Sequence, residues 1–261
     1  MTETTPLDQA HAAMQSAPDE ATARLSYFER LAESELFLLL SREPEGSRLD
    51  PESFDLPDGP VVLAFDREAR LTDFLGRAAP YAALSGRVIA AMLAGRGIGL
   101  GVNFEVAPSS ILIPAKAIDW LHATLAEAPA EIEARPVSLH PPASVPERLL
   151  HALDAKLATA AGLAQAAYLV DARYADGTQG TLLGVVDVLP GAQGALARAT
   201  NEALAFSGIA AGALDIGFFA AADPVTARLA QVGLRFDLPQ RESPEARARP
   251  GSDPDKPPRL R

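Results

Sequence analysis

The chain has 261 residues, enough for one large domain or two of ordinary size, and 48% of them are apolar, which supplies a core. With 34 acidic and 23 basic residues the net charge is -11, so the average field repels nucleic-acid phosphates and excludes DNA and RNA as expected partners. The absence of cysteine excludes disulfides, a thiol nucleophile and thiolate metal sites, as is typical of a reducing compartment.

The first residues of the chain and its most apolar stretch favour a cytoplasmic protein. The start, MTETTPLDQ, is acidic and is not followed by the apolar core of a secretory signal. Residues 204–222 are strongly apolar, but Asp215 and three glycines interrupt them, so they predict protein core and no membrane span. We therefore expect a cytoplasmic location and no contact with a membrane.

The first half predicts strands and amphipathic helices in alternation. SAPDEATARLSYFERLAES predicts a helix with Leu25, Phe28 and Leu31 on one face, and Ser16 with Asp19 predicts its cap. Apolar residues three and four apart predict two more helices, REARLTDFLGRA and YAALSGRVIAAMLAG, and Pro114 precedes a fourth, AKAIDWLHATLAE. The predicted strands are ELFLLLS (35–41), PVVLAFD (60–66), IGLGVNF (98–104) and SSILIP (109–114), with an acidic loop over 43–59.

The second half predicts a hairpin followed by alternating helices and strands. Ser144 and Glu147 form a predicted capping box for the helix PERLLHALDAKLATAAG. In YLVDARYADGTQGTLLGVVDV the residues Tyr168, Val170, Ala172 and Tyr174 alternate with polar positions, and ADG marks a turn before a second strand, which predicts an antiparallel pair. The remaining predicted elements are a helix over 191–208, the strand LDIGFFA (214–220), the helix DPVTARLAQVG and the strand LRFDL.

Together these elements predict an α+β fold with two mixed α/β-sheet domains in tandem. The predicted boundaries are a first domain over 6–133, a linker over 134–144 with three prolines, and a second domain over 145–238. Residues 239–261 contain six prolines, six basic and four acidic residues and little to bury, so they predict a disordered tail.

The most suggestive motif, GRGIGLGVNF (95–104), does not predict a phosphate loop. A dinucleotide loop places G-x-G-x-x-G after a strand and at the start of a helix, whose amides then bind the pyrophosphate. Here Gly95, Gly97, Gly99 and Gly101 follow a predicted helix and lead into a strand. The stretch predicts a helix C-cap and a strand that neighbouring backbone approaches closely, and no cofactor.

Motifs of catalysis and metal binding are missing from the sequence. No G-x-S-x-G motif is present, and the four histidines do not have the spacing of H-E-x-x-H, so we expect no catalytic residue and no metal. Asp171, Asp187 and Asp215 each lie in or beside a predicted strand of the second half, and together they form a possible acidic site for a cation or for acid–base chemistry. The alternative is that all three point outward on half-exposed strands.

The order of segments resembles a known family. PDEATARLSYFERLAESELFLLLS, PVVLAFD with REARLTDFL, GIGLGVNF with ILIP, and IDWLHATL resemble the N-terminal domain of the SseB family, which is named for enhanced serine sensitivity. The stretch from AAYLVDARY to LDIGFFA resembles the SseB C-terminal domain, so the likeness covers about residues 6–238. It implies a cytoplasmic bacterial protein without a catalytic signature. In many relatives Pro-Gly follows an Asn after the third strand, whereas here Asn103 is followed by Phe104 and Glu105.

Two functions remain open. One is a non-catalytic adaptor that binds a protein partner or a small metabolite, and the other is an enzyme or small-molecule sensor of amino-acid metabolism with a site between the domains. The predicted binding surface is the loop after the third strand, because a loop between two strands presents polar groups rigidly. Its candidate residues are Asn103, Glu105, Ser109 and Ser110.

Overall fold

The computed structural model of the chain describes residues 4–46, 48–127, 136–209 and 214–240. In these residues it contains eight helices and two mixed sheets, which confirms the predicted α+β class. The predicted tail lies outside the described residues from position 241 onward. Among the described residues, no helix combines the length and the apolarity needed to cross a membrane.

The first sheet has six strands in the order β4-β1-β3-β5-β6, with β2 also paired to β3. The strands β3 and β5 are parallel, and the other pairs are antiparallel. The strands are β1 (Glu35–Leu39), β2 (Ser53–Leu56), β3 (Gly59–Phe65), β4 (Tyr81–Ser85), β5 (Gly99–Val102) and β6 (Ile111–Ile113). The helices of this half are α1 (Pro6–Ser16), α2 (Ala21–Glu33), α3 (Glu68–Leu75), α4 (Gly86–Leu93) and α5 (Ala115–Ala126).

Alternation along the strands sends apolar side chains to both faces of this sheet. One face packs against α1, α2, α4 and α5 and forms the larger core, with Leu36, Leu38 and Val62 among its buried residues. The opposite face packs against α3 through a smaller cluster that includes Phe65 and Leu71.

The second sheet has the order β10-β9-β8-β11, with β7 also paired to β8. Only β9 and β10 run parallel among its described pairs. The strands are β7 (Pro136–His140), β8 (Ala166–Tyr174), β9 (Gln179–Val186), β10 (Leu214–Phe219) and β11 (Leu234–Asp237), and the helices are α6 (Glu147–Thr159), α7 (Gln193–Phe206) and α8 (Pro224–Val232). The predicted hairpin is therefore β8 and β9.

The helices α6 and α7 lie between the two sheets. They cover one face of the second sheet, and α7 also contacts α2 and α5 of the first half. Phe206 of α7 is buried in the core of the first half. The other face of the second sheet packs against α8, mainly through Leu229.

Three predictions about local structure are wrong, each for a tertiary reason. Residues 81–85 form β4 and not the start of a helix, because they pair along β1, and the helix begins only at Gly86. The predicted acidic loop contains β2, which gains its hydrogen bonds from β3. The predicted linker contains β7, which joins the second sheet beside β8.

The predicted helix caps also differ from the observed ones. Thr5 caps α1 in a capping box with Asp8, whereas Ser16 and Asp19 do not cap α2, which begins after Glu20. The helix α6 begins after Pro146, and among the described residues no side chain caps it.

The glycine stretch has the predicted structural role. Gly95 and Gly97 have φ values of 72° and 69° directly after α4, in the left-handed region that favours glycine. At Gly99 a Cβ atom would lie 2.7 Å from the backbone carbonyl oxygen of Ile113, so β5 needs a glycine there to lie close beside β6.

Candidate functional site

Polar side chains meet where the two parallel strands of the first sheet end. Asp66 directly follows β3 and Asn103 directly follows β5, so both lie at the same edge of the sheet. The start of α1 packs over this edge. The resulting buried polar cluster consists of Thr5, Asp8, Asp66, Arg70, Asn103 and Ser109, and five of these residues are at most 5% exposed.

Arg70 of α3 is the centre of this cluster. Its Nη2 donates to Asp8 Oδ2 at 2.6 Å and its Nη1 to Asp8 Oδ1 at 3.0 Å, so the guanidinium binds both oxygens of one carboxylate. Nη1 also donates to Asp66 Oδ1 at 2.8 Å. Such bidentate, charge-assisted pairs fix geometry as well as charge, and here they tie α1 to α3 and to the end of β3.

Asn103 and Ser109 hold the other side of the cluster. Asn103 has a φ of 49°, and its Oδ1 accepts from the Asp66 backbone N–H at 3.0 Å. Its Nδ2 donates to Ser109 Oγ at 2.9 Å, and Ser109 Oγ donates in turn to Asp8. This chain of hydrogen bonds fixes the loop after β5 against α1.

The Asp8 carboxylate of the cluster is strongly biased toward its ionised state. Burial by itself raises the pKa of Asp8, but the hydrogen bonds from Arg70 and Ser109 outweigh burial and hold that pKa well below its usual range. Burial, together with the charge of Asp66, raises the pKa of the Tyr27 hydroxyl. Two buried donors, Arg70 Nε and Tyr27 Oη, have no hydrogen-bond partner among the described residues.

The predicted binding loop divides between this cluster and the surface. Asn103 and Ser109 are fully buried, whereas Glu105 is exposed and Ser110 is partly so. Ser110 Oγ accepts from the Glu105 backbone N–H at 3.0 Å, so the two form a local turn. Arg70 and Asp8 are not among the residues predicted from the sequence, although Thr5 and Asp8 have the spacing of a capping box.

A second charged cluster joins the two halves. Lys156 of α6 is buried, and its Nζ lies 2.6 Å from Glu33, 3.2 Å from Glu29 and 3.2 Å from Glu202 of α7. Arg87 of α4 donates to both oxygens of Glu202, at 3.0 and 3.2 Å. We call these five residues the junction cluster. Burial alone would lower the pKa of Lys156, but the hydrogen bond that its ammonium donates to Glu33 and the nearby carboxylates raise that pKa.

The junction cluster lies beside an open groove of about 560 Å³. The junction groove is bounded by α1 and α2 on one side and by α6 and the end of α7 on the other. Its charged and imidazole side chains are Glu29, Arg30, Arg148 and His151. A similar recess of about 540 Å³ lies on the other side of Lys156, where Arg87 and Arg198 line it.

The three candidate acids of the second half do not form one site. Asp171 pairs with Thr181 and Asp215 with Leu182, and since adjacent positions of β9 face opposite ways, the two carboxylates lie on opposite faces of the sheet. Asp187 follows β9 at the other end of the sheet.

Each of the three acids has its own local partner. Asp171 accepts from the Ala143 N–H, Asp187 from the Ala221 N–H, and Asp215 from the Tyr174 hydroxyl at 2.6 Å. Within the described ranges, no group of three or more His, Cys, Asp or Glu side chains could hold a metal ion.

Comparison with known protein families, curated proteins and solved structures finds no match for this chain. The resemblance to the SseB family therefore stays a prediction from the sequence.

Proposed function

We propose that this protein is a non-catalytic binding protein of the cytoplasm, and that it binds a small metabolite with a carboxylate in the junction groove. The observation that carries the proposal is the meeting of Arg30 from the first half with Arg148 and His151 from the second. The groove, about 560 Å³, has the size of typical small-molecule sites.

The arginines suit a carboxylate. A guanidinium matches a carboxylate in shape and donates two parallel hydrogen bonds to it. Arg148 makes no ion pair with any described residue, and Arg30 makes only an exposed contact to Glu33 at 3.6 Å. Exposed pairs of this kind add little stability, so a ligand carboxylate competes for Arg30 at small cost.

His151 adds a preference for a donor group on the same ligand. Its Nδ1 lies 3.0 Å from the Glu147 carbonyl oxygen, which can only accept, so Nδ1 carries the hydrogen. In the neutral ring Nε2 is then an acceptor, suited to a hydroxyl or ammonium group. A carboxylate with such a donor is the chemistry of an amino acid. The predicted SseB resemblance, through its link to serine, favours the same class.

The surroundings of Ser109 support the non-catalytic part of the proposal. Ser109 is fully buried, and among the described residues its hydroxyl bonds to Asp8 and Asn103 and to no imidazole. A nucleophilic serine needs a base within reach and access to substrate.

The experiment is calorimetric titration of the full chain with serine, other amino acids and simple carboxylic acids. We expect binding to be weakened roughly tenfold in Arg148→Met, since a charge-assisted hydrogen bond contributes about 1.5–3 kcal/mol. The matched control is Arg173→Met, an exposed arginine on β8 outside the groove, which should bind as the native chain does. No heat with any amino acid or acid, or equal weakening in both variants, contradicts the proposal.

A protein partner is tested on the same chain by affinity capture with and without added serine. A stoichiometric partner captured equally by the native chain and by Arg148→Met, with no metabolite bound, would replace the metabolite proposal with the adaptor function. A partner whose capture changes with serine and depends on Arg148 would join both functions at the junction groove.

A further inference from the structure

The buried polar cluster has the layout of a binding site that is already filled from within the chain. In open sheets with parallel strands, ligands bind at the carboxyl ends of those strands. Asp66 and Asn103 stand at these ends of β3 and β5, and each is linked to the Asp8 carboxylate of α1 through one further side chain, Arg70 for Asp66 and Ser109 for Asn103.

The surroundings of this carboxylate are those of a bound ligand. Both of its oxygens accept from the Arg70 fork, one also accepts from Ser109, and the other accepts from the Thr5 backbone N–H at 2.9 Å. Apart from Thr5, these donors come from α3 and from the loop after β5, neither of which adjoins α1 in sequence. The first sheet thus presents preformed donors for one carboxylate.

One further donor of the same guanidinium remains after Asp8 is bound. Arg70 Nε is buried and has no hydrogen-bond partner among the described residues. An unpaired buried donor is costly, and a single aspartate side chain has no acceptor left for it. A carboxylic acid with one more oxygen, such as a hydroxy acid, has an acceptor that Asp8 lacks.

The helix that supplies Asp8 is short. It has 11 residues, of which Leu7, Asp8 and His11 are buried, and it packs mainly against α2. One of its three buried residues is therefore the charged group held by Arg70, so a competitor for Arg70 removes a large part of what fixes α1 on the sheet.

We propose that Arg70 and Ser109, with Ser109 held in place by Asn103, form a receptor for a small hydroxy-carboxylic acid, which Asp8 occupies as a built-in substitute and which the acid enters by displacing α1. Asp8 does not line the junction groove, so this site is separate from the one in the proposed function.

The first test is chemical rescue in the full chain. Asp8→Ala removes the internal carboxylate, and glycolate should raise the melting temperature of this variant in a saturable way, by about 3 °C or more over chloride at equal ionic strength. Asp8→Asn fills the same space without charge and should gain little. The double variant Asp8→Ala with Arg70→Met should gain nothing. No rise in Asp8→Ala, or the same rise in the double variant, overturns the receptor.

The second test uses the native chain and does not depend on how well the variants fold. Hydrogen exchange of the amides of residues 9–16 is measured in glycolate and in chloride. Faster exchange in glycolate, by about twofold or more, with unchanged exchange in α5, supports displacement of α1. Unchanged or slower exchange in α1 overturns displacement.

Discussion

The two charged clusters of this molecule use the same chemistry in different surroundings. In the buried polar cluster Arg70 lies between two carboxylates that are at most 5% exposed, all within the first half. In the junction cluster Lys156 is 7% exposed, Glu29 and Glu33 are 24% and 35% exposed, and their ion pairs with Lys156 cross between the halves. Charges without access to water depend entirely on their partners, whereas charges at a groove can exchange a partner for water or a ligand. The first arrangement holds its own carboxylate, Asp8, and opens only when a competing acid replaces it, whereas the second can bind a ligand without losing an internal partner.

The largest loss of stability is expected for Arg70→Met in the buried polar cluster. The change removes the cation and leaves the Asp8 and Asp66 carboxylates buried against each other, which costs about 3–5 kcal/mol for a buried pair. We expect a loss of that size in the free energy of unfolding, measured by urea denaturation at neutral pH.

The control is Arg77→Met, an exposed arginine just beyond α3, which should change stability by no more than about 0.5 kcal/mol. Arg70→Lys keeps the charge but loses the fork and should fall in between. A loss below about 1 kcal/mol in Arg70→Met would show that the cluster is more hydrated than its geometry indicates.

Lys156→Met tests the junction in the same way and should cost less. Glu29 and Glu33 can turn toward water, and Glu202 keeps Arg87, so we expect roughly 2 kcal/mol, below the cost of a fully buried pair. The measurement is again denaturation, followed by fluorescence of Trp120 in the first half and by circular dichroism of the whole chain.

The matched control for the junction is Lys116→Met, an exposed lysine on α5. If the junction cluster holds the halves together, the two probes should separate in Lys156→Met and coincide in the control. Coincident transitions with an unchanged midpoint would contradict this role.

Much of the fold followed from periodicity, and the exceptions are local. The hairpin of β8 and β9 and the helices α3, α5 and α7 were predicted because their apolar spacing is long and regular. The strand β4 was missed since YAALS runs directly into a helix, and only pairing with β1 distinguishes the two. The strands β2 and β7 were missed because prolines and acidic residues surround them, although β2 pairs with the next strand, β3, across a two-residue turn. The hydrogen bonds of β7 come from β8, which lies beyond α6 in the chain.

The site was predicted only in part. Asn103 and Ser109 were expected to present polar groups from a rigid loop, and the loop is rigid because those groups point inward. Arg70 lies 62 residues from Asp8, and in the helical pattern REARL it is indistinguishable from a solvent-facing arginine. No spacing rule connects such a pair, so only the fold brings them together.

The smallest of these effects is a pH dependence that His11 adds to the buried polar cluster. His11 is buried beside Asp8 and packs edge-on against the Tyr27 ring at 5.8 Å. Burial lowers the pKa of His11, while the Asp8 charge and the Pro108 carbonyl oppose this without reversing it. Because the folded pKa lies below the unfolded one, the unfolded chain takes up the proton first. Stability is therefore full above about pH 6.5 and falls as the pH drops below it.

In His11→Gln this decline should disappear, so the native and variant curves of stability against pH should converge between about pH 7 and pH 5. The pKa of Asp8 is depressed, so its own contribution is lost only below about pH 4, and the two effects separate on the pH axis. Parallel curves through the upper window would mean that His11 is protonated as easily in the folded chain as in the unfolded one. The buried polar cluster would then have to admit water, and its charges would no longer differ from those of the junction cluster in their access to water.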